Sequence, residues 1–402
     1  MKKSLFTGKE GQNYLFPFML ITSLFFMWGF AHSLLDILNK HFQESLHLTK
    51  AQSGAVQTAA YGAYFIMAIP AGIIARKFGY KAGIVVGLLL FAIGAFWFVP
   101  AVGIGTFGAF LLGLLVLFSG LTFLETVANP YTTVLGAPES AARRINLAQT
   151  FNALGWICGP LIGSLLIFGS SENSNAALML PYVGLGVLVL LVLLMFLFVK
   201  LPEVKEESPQ TSSGVEKPLI RQRHFVLAVI AQFLYVAAQT GIGSFFINYS
   251  VEIKDLQITT MEAGIWLALG GMSLFAIGRF CGSLLMKKIK AETLLGSFAL
   301  MNTLLMLIVI SCHNVWGFGA LIVNYLFMSI MFPSIFALGI KGLGEQTKTA
   351  SSVLVLTIVG GAIASPLMGY IGENNMNYGF ILPLFCFLFI AFFGFWGSKS
   401  GK

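Results

Sequence analysis

Long apolar blocks alternate with short polar segments along most of this 402-residue chain. Each block holds about 20 predominantly apolar residues, the length that an α-helix needs to cross the hydrocarbon core of a bilayer. The pattern predicts twelve membrane-spanning helices, six on each side of one long polar segment. They are expected at residues 15–40, 51–75, 80–100, 104–135, 144–168, 178–199, 222–250, 260–286, 292–312, 315–340, 348–371 and 378–397.

The long polar segment reads LPEVKEESPQTSSGVEKP and covers residues 201–218. Its content of Glu, Ser and Pro is typical of a solvated linker rather than of a packed element. We therefore expect an N-terminal bundle of six helices at 1–200, a cytoplasmic linker at 201–221 and a C-terminal bundle of six helices at 222–402. The predicted fold class is an all-α polytopic membrane protein.

Two basic segments lie at matching places in the two halves. GIIARKFGYK follows the second predicted span at 72–81, and GRFCGSLLMKK ends the eighth at 278–288. Glycine permits close helix approach, and the basic residues suit helix C-termini. The match favours two pseudo-symmetric, duplicated halves, an arrangement found in transport proteins.

Composition agrees with a membrane protein and excludes a soluble one. The chain is 57% hydrophobic and only 10% charged, whereas soluble domains have roughly 25% charged residues. The four cysteines stand singly in apolar segments without CxxC or His-rich spacing, so we expect neither a disulfide framework nor a metal site. The first apolar run is long and lacks a small-residue cleavage site, which identifies it as a first span rather than a signal peptide.

The basic residues fall mainly on one side of the predicted topology. If the N-terminus is cytoplasmic, 20 of the 24 Lys and Arg lie in cytoplasmic loops, termini or the linker. This asymmetry predicts that both termini are cytoplasmic in a multi-pass protein of the cytoplasmic (inner) membrane. It also explains the net charge of +8 by contact with anionic lipid headgroups, without nucleic acid as a partner. Lys40, Lys50 and Lys254 lie outside this pattern, and Arg279 lies within a span.

Glu125 is the candidate functional residue that stands out most. It lies in FSGLTFLETVANPYTT, residues 118–133, after a stretch from Val102 to Leu124 without any charged residue. A carboxylate at membrane depth costs ~2.5 kcal/mol or more, so such a group is usually paired or functional. Asn129 follows one helical turn later on the same face, and Pro130 frees a backbone carbonyl. The combination predicts a substrate or proton site, and the alternative is a buried acid with a purely structural role.

Asp36 is the second acid inside an apolar span. It follows LITSLFFMWGFAHSLL, and His32 precedes it by one turn on the same face. Because Asp36 lies nearer a helix end, an interfacial or structural carboxylate is an open alternative. His32 has two readings, a proton relay or counter-charge on the one hand and a hydrogen-bonded packing residue on the other.

Several amides complete the predicted site. Gln149 and Asn152 share a face of the fifth span, Gln239 lies on a polar face of the seventh, and Asn324 lies in the tenth. Amides offer both donors and acceptors, which is what a polyhydroxylated ligand needs. The alternative is hydrogen bonding between helices, which is common in membranes.

The chain resembles the L-fucose:proton symporter family of the major facilitator superfamily over nearly its whole length. The residues that carry the resemblance are LETVANPYTTVLG (124–136), NLAQTFNALG (146–155), AQFLYVAAQT (231–240), IGRFCGS (277–283), FMSIMFPSIFALGIKGLG (327–344) and TIVGGAIASPLMGYI (357–371). The resemblance implies the major facilitator fold, with two six-helix bundles, and a monomer.

The resemblance also implies roles for individual residues. Asp36 matches the acid of the family's first span, implicated in coupling to protons, and Glu125 matches the cavity-facing acid of the fourth span. Gln149 and Asn152 match amides near the sugar. The first span departs from the family pattern, because AHSLLDILNKHF has His32 where the family often has Asn residues ahead of the Asp. Fucose, glucose, galactose, N-acetylglucosamine and other monosaccharides therefore stay open as substrates.

These observations together predict a proton-coupled symporter that imports a monosaccharide by alternating access, with no cofactor. Asp36 and Glu125 would carry the coupling, and the predicted substrate-binding residues are Glu125, Asn129, Gln149, Asn152, His32, Gln239 and Asn324. One alternative is a facilitative carrier of the same fold. A membrane enzyme is disfavoured because the sequence has no second in-membrane nucleophile, metal-ligand cluster, HExxH or GxSxG motif. A sensor would be expected to carry a signalling domain, and the linker is the only long cytoplasmic stretch.

Overall fold

The computed structural model describes residues 14–135, 141–169, 175–199, 218–286, 288–343 and 346–399. Within these ranges, twelve helices are long and apolar enough to cross a membrane, which confirms the predicted count. The helix ends differ from the prediction by a few residues. We number the helices as spans 1 to 12: Leu15–Ser45, Lys50–Ala75, Lys77–Ile104, Phe107–Ala128, Leu147–Phe168, Ala176–Phe198, Arg223–Glu252, Thr260–Leu285, Ala291–Ser311, Val315–Ile340, Thr349–Ile371 and Met376–Gly397.

A kink separates spans 2 and 3. The segment Ala55–Phe96 consists of two helices interrupted at Gly79, whose φ of 84° lies in the left-handed region. Glycine accepts this conformation without the Cβ clash that other residues have, so the chain can reverse there within a few residues. At the start of span 2, the short helix Lys50–Ser53 begins with a capping box, in which Thr49 and Gln52 each bond the other's backbone N–H.

Several spans contain a wider or tighter turn. Span 5 ends in a π-helical turn at Ser164–Phe168, and span 8 has one at Leu267–Met272. Span 12 ends in another at Phe393–Gly397, whereas span 11 tightens to a 3₁₀ turn at Thr357–Val359. Such turns shift the face that a helix presents to its neighbours and leave local irregularities in its hydrogen bonding.

Glycines bring spans 3 and 4 into backbone contact. A Cβ atom at Gly94 would overlap the backbone nitrogen of Leu117, and one at Gly120 would overlap the carbonyl oxygen of Gly87. Small residues at such crossings permit the close van der Waals packing that drives helix association in membranes. This packing fixes the helix that carries Glu125 against span 3.

The chain forms two compact units. One comprises Met1–Leu35 with Gly62–Ser208, and the other comprises Asp36–Tyr61 with Pro209–Lys402. The last third of span 1 and the start of span 2 thus belong to the second unit. Within that unit the Thr58 hydroxyl of span 2 donates to the Ala362 carbonyl of span 11 at 2.7 Å. The predicted boundaries of the two bundles stay a prediction, and most of the linker, residues 200–217, lies outside the described residues.

We predict that Gly94→Ala lowers the apparent melting temperature of the detergent-solubilised protein, because the added methyl group would have to displace the backbone at Leu117. Gly62→Ala is the matched control, since it is also in a helix and a Cβ there meets nothing within 4 Å. The control is expected to be neutral or slightly stabilising, by about 0.5–1 kcal/mol from helix propensity. Equal melting temperatures for the two variants would contradict the close approach of spans 3 and 4.

Candidate functional site

Glu125 borders a narrow crevice in the first unit. It is half-buried on span 4, and the space in the crevice that a water-sized probe can enter is ≈ 10 Å³. The other lining residues are Leu24, Phe25, Trp28, Leu124 and Ala128. This volume is far below the ~300–1,000 Å³ of ordinary ligand pockets. The crevice has room for about one water molecule, so a sugar can bind there only if the lining side chains move.

Tyr64 links Glu125 to His32. The Tyr64 side chain of span 2 is hydrogen-bonded to the Glu125 carboxyl group. Its hydroxyl oxygen also lies 2.8 Å from Nε2 of His32 on span 1. Sequence analysis missed Tyr64, because a tyrosine in an apolar span is ordinary and nothing in the spacing shows what its hydroxyl meets. His32 and Glu125, both predicted, are brought together through it.

Aromatic rings surround the imidazole of His32. The Phe118 ring lies edge-on at 4.9 Å between centroids, and the Trp156 ring stacks at 5.8 Å. Trp28 and Tyr64 complete the cage at 5.9 Å and 5.5 Å. His32 is only 7% exposed. The surrounding rings hold the imidazole in one orientation, with Nε2 of His32 at the Tyr64 hydroxyl oxygen.

The amides of the first unit have different surroundings. Asn152 is buried, and its side-chain nitrogen donates to the Phe25 carbonyl of span 1 at 3.0 Å, a bond between helices. Gln149 is half-buried on the same span, and the side chain of Asn129 lies outside the described residues. The indole N–H of Trp28, in the wall of the crevice, is buried without a hydrogen-bond partner in the described chain. A buried donor of this kind is costly unless a ligand or water satisfies it.

Asp36 lies in the second unit and is 6% exposed. Gln57 of span 2 donates its side-chain N–H to Oδ1 of Asp36 at 3.2 Å. On the other side, a Cβ at Gly243 of span 7 would come within 2.7 Å of Oδ2, so the carboxyl group reaches the span 7 backbone only because residue 243 is glycine. Among the described residues no Lys, Arg or His forms an ion pair with Asp36.

C-terminal to Asp36 on span 1, polar side chains pair with span 7 at successive turns. Asn39 donates its side-chain N–H to the Ser244 carbonyl at 2.7 Å. One turn further, Gln43 and Asn248 exchange amide hydrogen bonds, with Gln43 Nε2 3.3 Å from Asn248 Oδ1. The spacing of four on each helix keeps both pairs in register. These contacts explain why the last third of span 1 belongs to the second unit.

Lys50, at the start of span 2, makes a further polar contact with span 7. Its ammonium group lies 2.6 Å from the Glu252 carboxylate at the end of span 7. It also donates to the carbonyl oxygens of Gly372 and Glu373, at 2.8 Å and 3.0 Å. The Glu373 carboxylate in turn accepts from the backbone N–H groups of Lys50 and Ala51, each at 3.2 Å. Lys50 did not fit the distribution of basic residues, and its acid partners supply the reason for its position.

The remaining predicted residues are in the second unit and do not gather around Asp36 by any recorded bond. Gln239 is half-buried on span 7. Asn324 is fully buried on span 10, with its amide 2.9 Å from that of Asn302 on span 9. This contact favours a role between helices for Asn324. Within the described ranges, no cluster of three or more His, Cys, Asp or Glu residues is arranged to hold a metal ion.

The chain is similar to known membrane transporters. The family model described as Major Facilitator Superfamily matches residues 19–366. The L-fucose-proton symporter of Escherichia coli is 39% identical over 421 residues, covering 97% of this chain and 95% of that protein. A glucose/galactose transporter of Brucella abortus is 37% identical over 397 residues, covering 97% and 96%. The crystal structure of the transporter FucP in the outward conformation matches with a TM-score of 0.70 and 39% identity, over 96% of this chain and 100% of that one.

We predict that Lys50→Glu lowers the apparent melting temperature by a few degrees, because it places a third carboxylate beside Glu252 and Glu373. The partly buried pair is worth about 1 kcal/mol. The charge swap Lys50→Glu/Glu252→Lys should recover part of the loss. Lys254→Glu is the control, since Lys254 is exposed and no ion pair is recorded for it. A swap no more stable than Lys50→Glu alone would argue against a direct charge interaction.

Proposed function

The chain belongs to the Major Facilitator Superfamily, and we propose that it is a proton-coupled symporter that imports a monosaccharide across the cytoplasmic membrane. Relatives that align with nearly the whole chain are named L-fucose-proton symporter and glucose/galactose transporter. The proposal therefore has the same substrate class as these relatives. The described residues contain twelve candidate membrane spans, which fits a transporter of this superfamily.

The observation that carries the proton coupling is a pair of carboxylic acids inside the spans. Asp36 is buried against a neutral amide and the span 7 backbone, and Glu125 is bonded to a tyrosine hydroxyl. Burial disfavours an ionised carboxylate more than the protonated acid, and a neutral hydroxyl or amide partner leaves both forms accessible. Each acid is thus proposed to gain and lose a proton during a transport cycle, which is what symport with protons requires.

Sugar recognition is proposed to involve the crevice beside Glu125. The Trp28 ring offers an apolar face, and its buried N–H offers an unsatisfied donor. Ligand sites combine such apolar walls with a few oriented polar groups. Glu125, Asn129, Gln149, Asn152 and His32 of the first unit are the proposed hydrogen-bonding residues, and Gln239 and Asn324 of the second unit stay predictions. L-Fucose, D-glucose and D-galactose are the first substrates to test.

The proposed cycle follows from the charge of the acids. Binding of a proton removes a negative charge from the membrane interior, so reorientation of the loaded carrier becomes less costly. Alternating access then delivers sugar and proton to the cytoplasm, and the proton gradient drives the sugar uphill. The distribution of Lys and Arg supports cytoplasmic termini, and a monomer is proposed as the working unit.

A facilitative carrier is the second candidate. It is favoured by the relatives named glucose/galactose transporter, whose names include no proton. In this alternative Glu125 and Asp36 bind sugar hydroxyls without titrating during transport. The two candidates differ in whether sugar accumulates against its gradient.

We predict that proteoliposomes containing the protein, given an inward proton gradient, accumulate labelled L-fucose, D-glucose or D-galactose above the external concentration. A protonophore should abolish the accumulation, because it removes the driving force. Equilibration that is insensitive to the protonophore would establish the facilitative carrier instead. Absence of movement for every monosaccharide in the panel would sink the substrate class.

We predict that Glu125→Gln abolishes accumulation while it leaves exchange of labelled for unlabelled sugar measurable, because the amide mimics the permanently protonated acid. Exchange by the loaded carrier requires no net release of a proton, whereas accumulation does. Asp255→Asn is the matched control, since Asp255 is exposed in the segment after span 7. Protonophore-sensitive accumulation by Glu125→Gln would show that Glu125 is not the coupling residue.

A further inference from the structure

Three side chains from three spans form one hydrogen-bonded row in the first unit. Nε2 of His32 lies 2.8 Å from the Tyr64 hydroxyl oxygen, and Tyr64 is hydrogen-bonded to Glu125. His32 and Tyr64 are only 7% and 6% exposed. The row ends on the carboxyl group to which the proposed function assigns the transported proton, and the inference that follows rests on that proposed function.

We infer that Tyr64 and His32 are positioning residues for the proton on Glu125, in a row whose hydrogen bonds reverse direction when Glu125 is protonated. The tyrosine hydroxyl carries one hydrogen, so it can donate to only one of its two neighbours and must accept from the other. An ionised Glu125 fixes the direction of both bonds because it can only accept, whereas a protonated Glu125 can also donate and allows both bonds to reverse.

In the ionised state, Glu125 can only accept hydrogen bonds. The Tyr64 O–H then donates to Glu125, and the Tyr64 oxygen accepts from an N–H on Nε2 of His32. A hydrogen bond to a charged acceptor is stronger than one between neutral groups, and it stabilises the charged form. His32 polarises the Tyr64 hydroxyl further, because successive hydrogen bonds strengthen one another. The row thus stabilises the carboxylate at membrane depth.

In the protonated state, each bond points the other way. The Glu125 O–H donates to the Tyr64 oxygen, and the Tyr64 O–H donates to Nε2 of His32, which must then carry its hydrogen on Nδ1. The two states differ by one proton. Nδ1 gains this proton, the Nε2–H proton passes to the Tyr64 oxygen, and the former Tyr64 proton passes to Glu125. No electrons are transferred, and His32 ends neutral in its other tautomer.

The surroundings keep this row intact. The titratable groups with recorded contacts to one another here are the members of the row: His32 from span 1, Tyr64 from span 2 and Glu125 from span 4. Span 5 presents the Trp156 ring to His32, and span 4 presents the Phe118 ring. Span 3 meets span 4 beside Glu125 through Gly87, against Leu124. An imidazole held among rings keeps its orientation, so its effect reaches Glu125 through Tyr64.

The test is the pH dependence of accumulation in proteoliposomes, with whichever of labelled L-fucose, D-glucose or D-galactose the wild type accumulates. Tyr64→Phe should move the midpoint to higher pH by about one unit, because the carboxylate loses a hydrogen bond that favours its charged form. His32→Phe should move it in the same direction by less. The pH midpoint of His32→Gln should stay near that of wild type, since the glutamine amide N–H can still donate to Tyr64.

The double variant Tyr64→Phe/His32→Phe separates a row from two independent effects. Because His32 acts through Tyr64, the double variant should have the same midpoint as Tyr64→Phe alone. Additive shifts would overturn the proposed order of the row. Tyr182→Phe is the control for loss of a buried hydroxyl, since Tyr182 stacks on Phe98 in the same unit. His41→Gln is the control for loss of a buried histidine from span 1.

A second measurement separates this inference from the proposed function. Thermal stabilisation of the detergent-solubilised protein by the same three sugars, measured against pH, reports the protonation of the site without any gradient. If the wild type fails to accumulate sugar but Tyr64→Phe still shifts the pH midpoint of sugar binding, proton coupling is contradicted and the hydrogen-bonded row is retained. Unshifted midpoints for Tyr64→Phe and His32→Phe in both assays would show that His32 and Tyr64 only pack, and would overturn the inference.

Discussion

The cost of placing a carboxyl group in a medium of low dielectric constant is the constraint on which the rest of this structure depends. The described spans carry few charges away from their ends, and each of the two acids there, Asp36 and Glu125, has polar protein neighbours. The Glu125 carboxyl group is hydrogen-bonded to Tyr64, whose hydroxyl also contacts the His32 imidazole. The Asp36 carboxyl group contacts the Gln57 amide and the backbone at Gly243. Both environments supply neutral donors or close backbone approach, and both require close helix packing.

Glycine makes that packing possible. Span 4 can present Glu125 only if it is held firmly by span 3, and Gly94 and Gly120 allow their backbones to meet. Gly243 serves the second acid more directly, since any side chain there would occupy the space of the Asp36 carboxyl group. In both cases an absent side chain decides where a charged one can lie. Because lipid gives no hydrophobic drive between helices, such close contacts are the available source of rigidity.

The sequence predicts the helices well and the site in part, for reasons that differ by residue. The spans are predicted from local apolar blocks. Glu125 and Asp36 are identified because a carboxylic acid within such a block is energetically costly. Tyr64 and Gln57 escape such reasoning, because their importance depends on partners 61 and 21 positions away, which only the fold brings near. Asn152 and Asn324 show the opposite limit: their types suit a ligand, yet their recorded contacts are to Phe25 and Asn302 of neighbouring helices.

Lys50 and Asp36 differ in whether their recorded partners carry an opposite charge. Lys50 lies at a helix end, where an ammonium group, two carboxylates and several carbonyls satisfy one another. Opposite charges at contact distance stabilise one another, so this cluster suits a fixed contact between helix ends. Asp36, several turns away on span 1, has an amide instead and no recorded ion pair within the described chain. Neutral donors leave both protonation states of an acid accessible, which is what the proposed role of Asp36 in proton coupling requires.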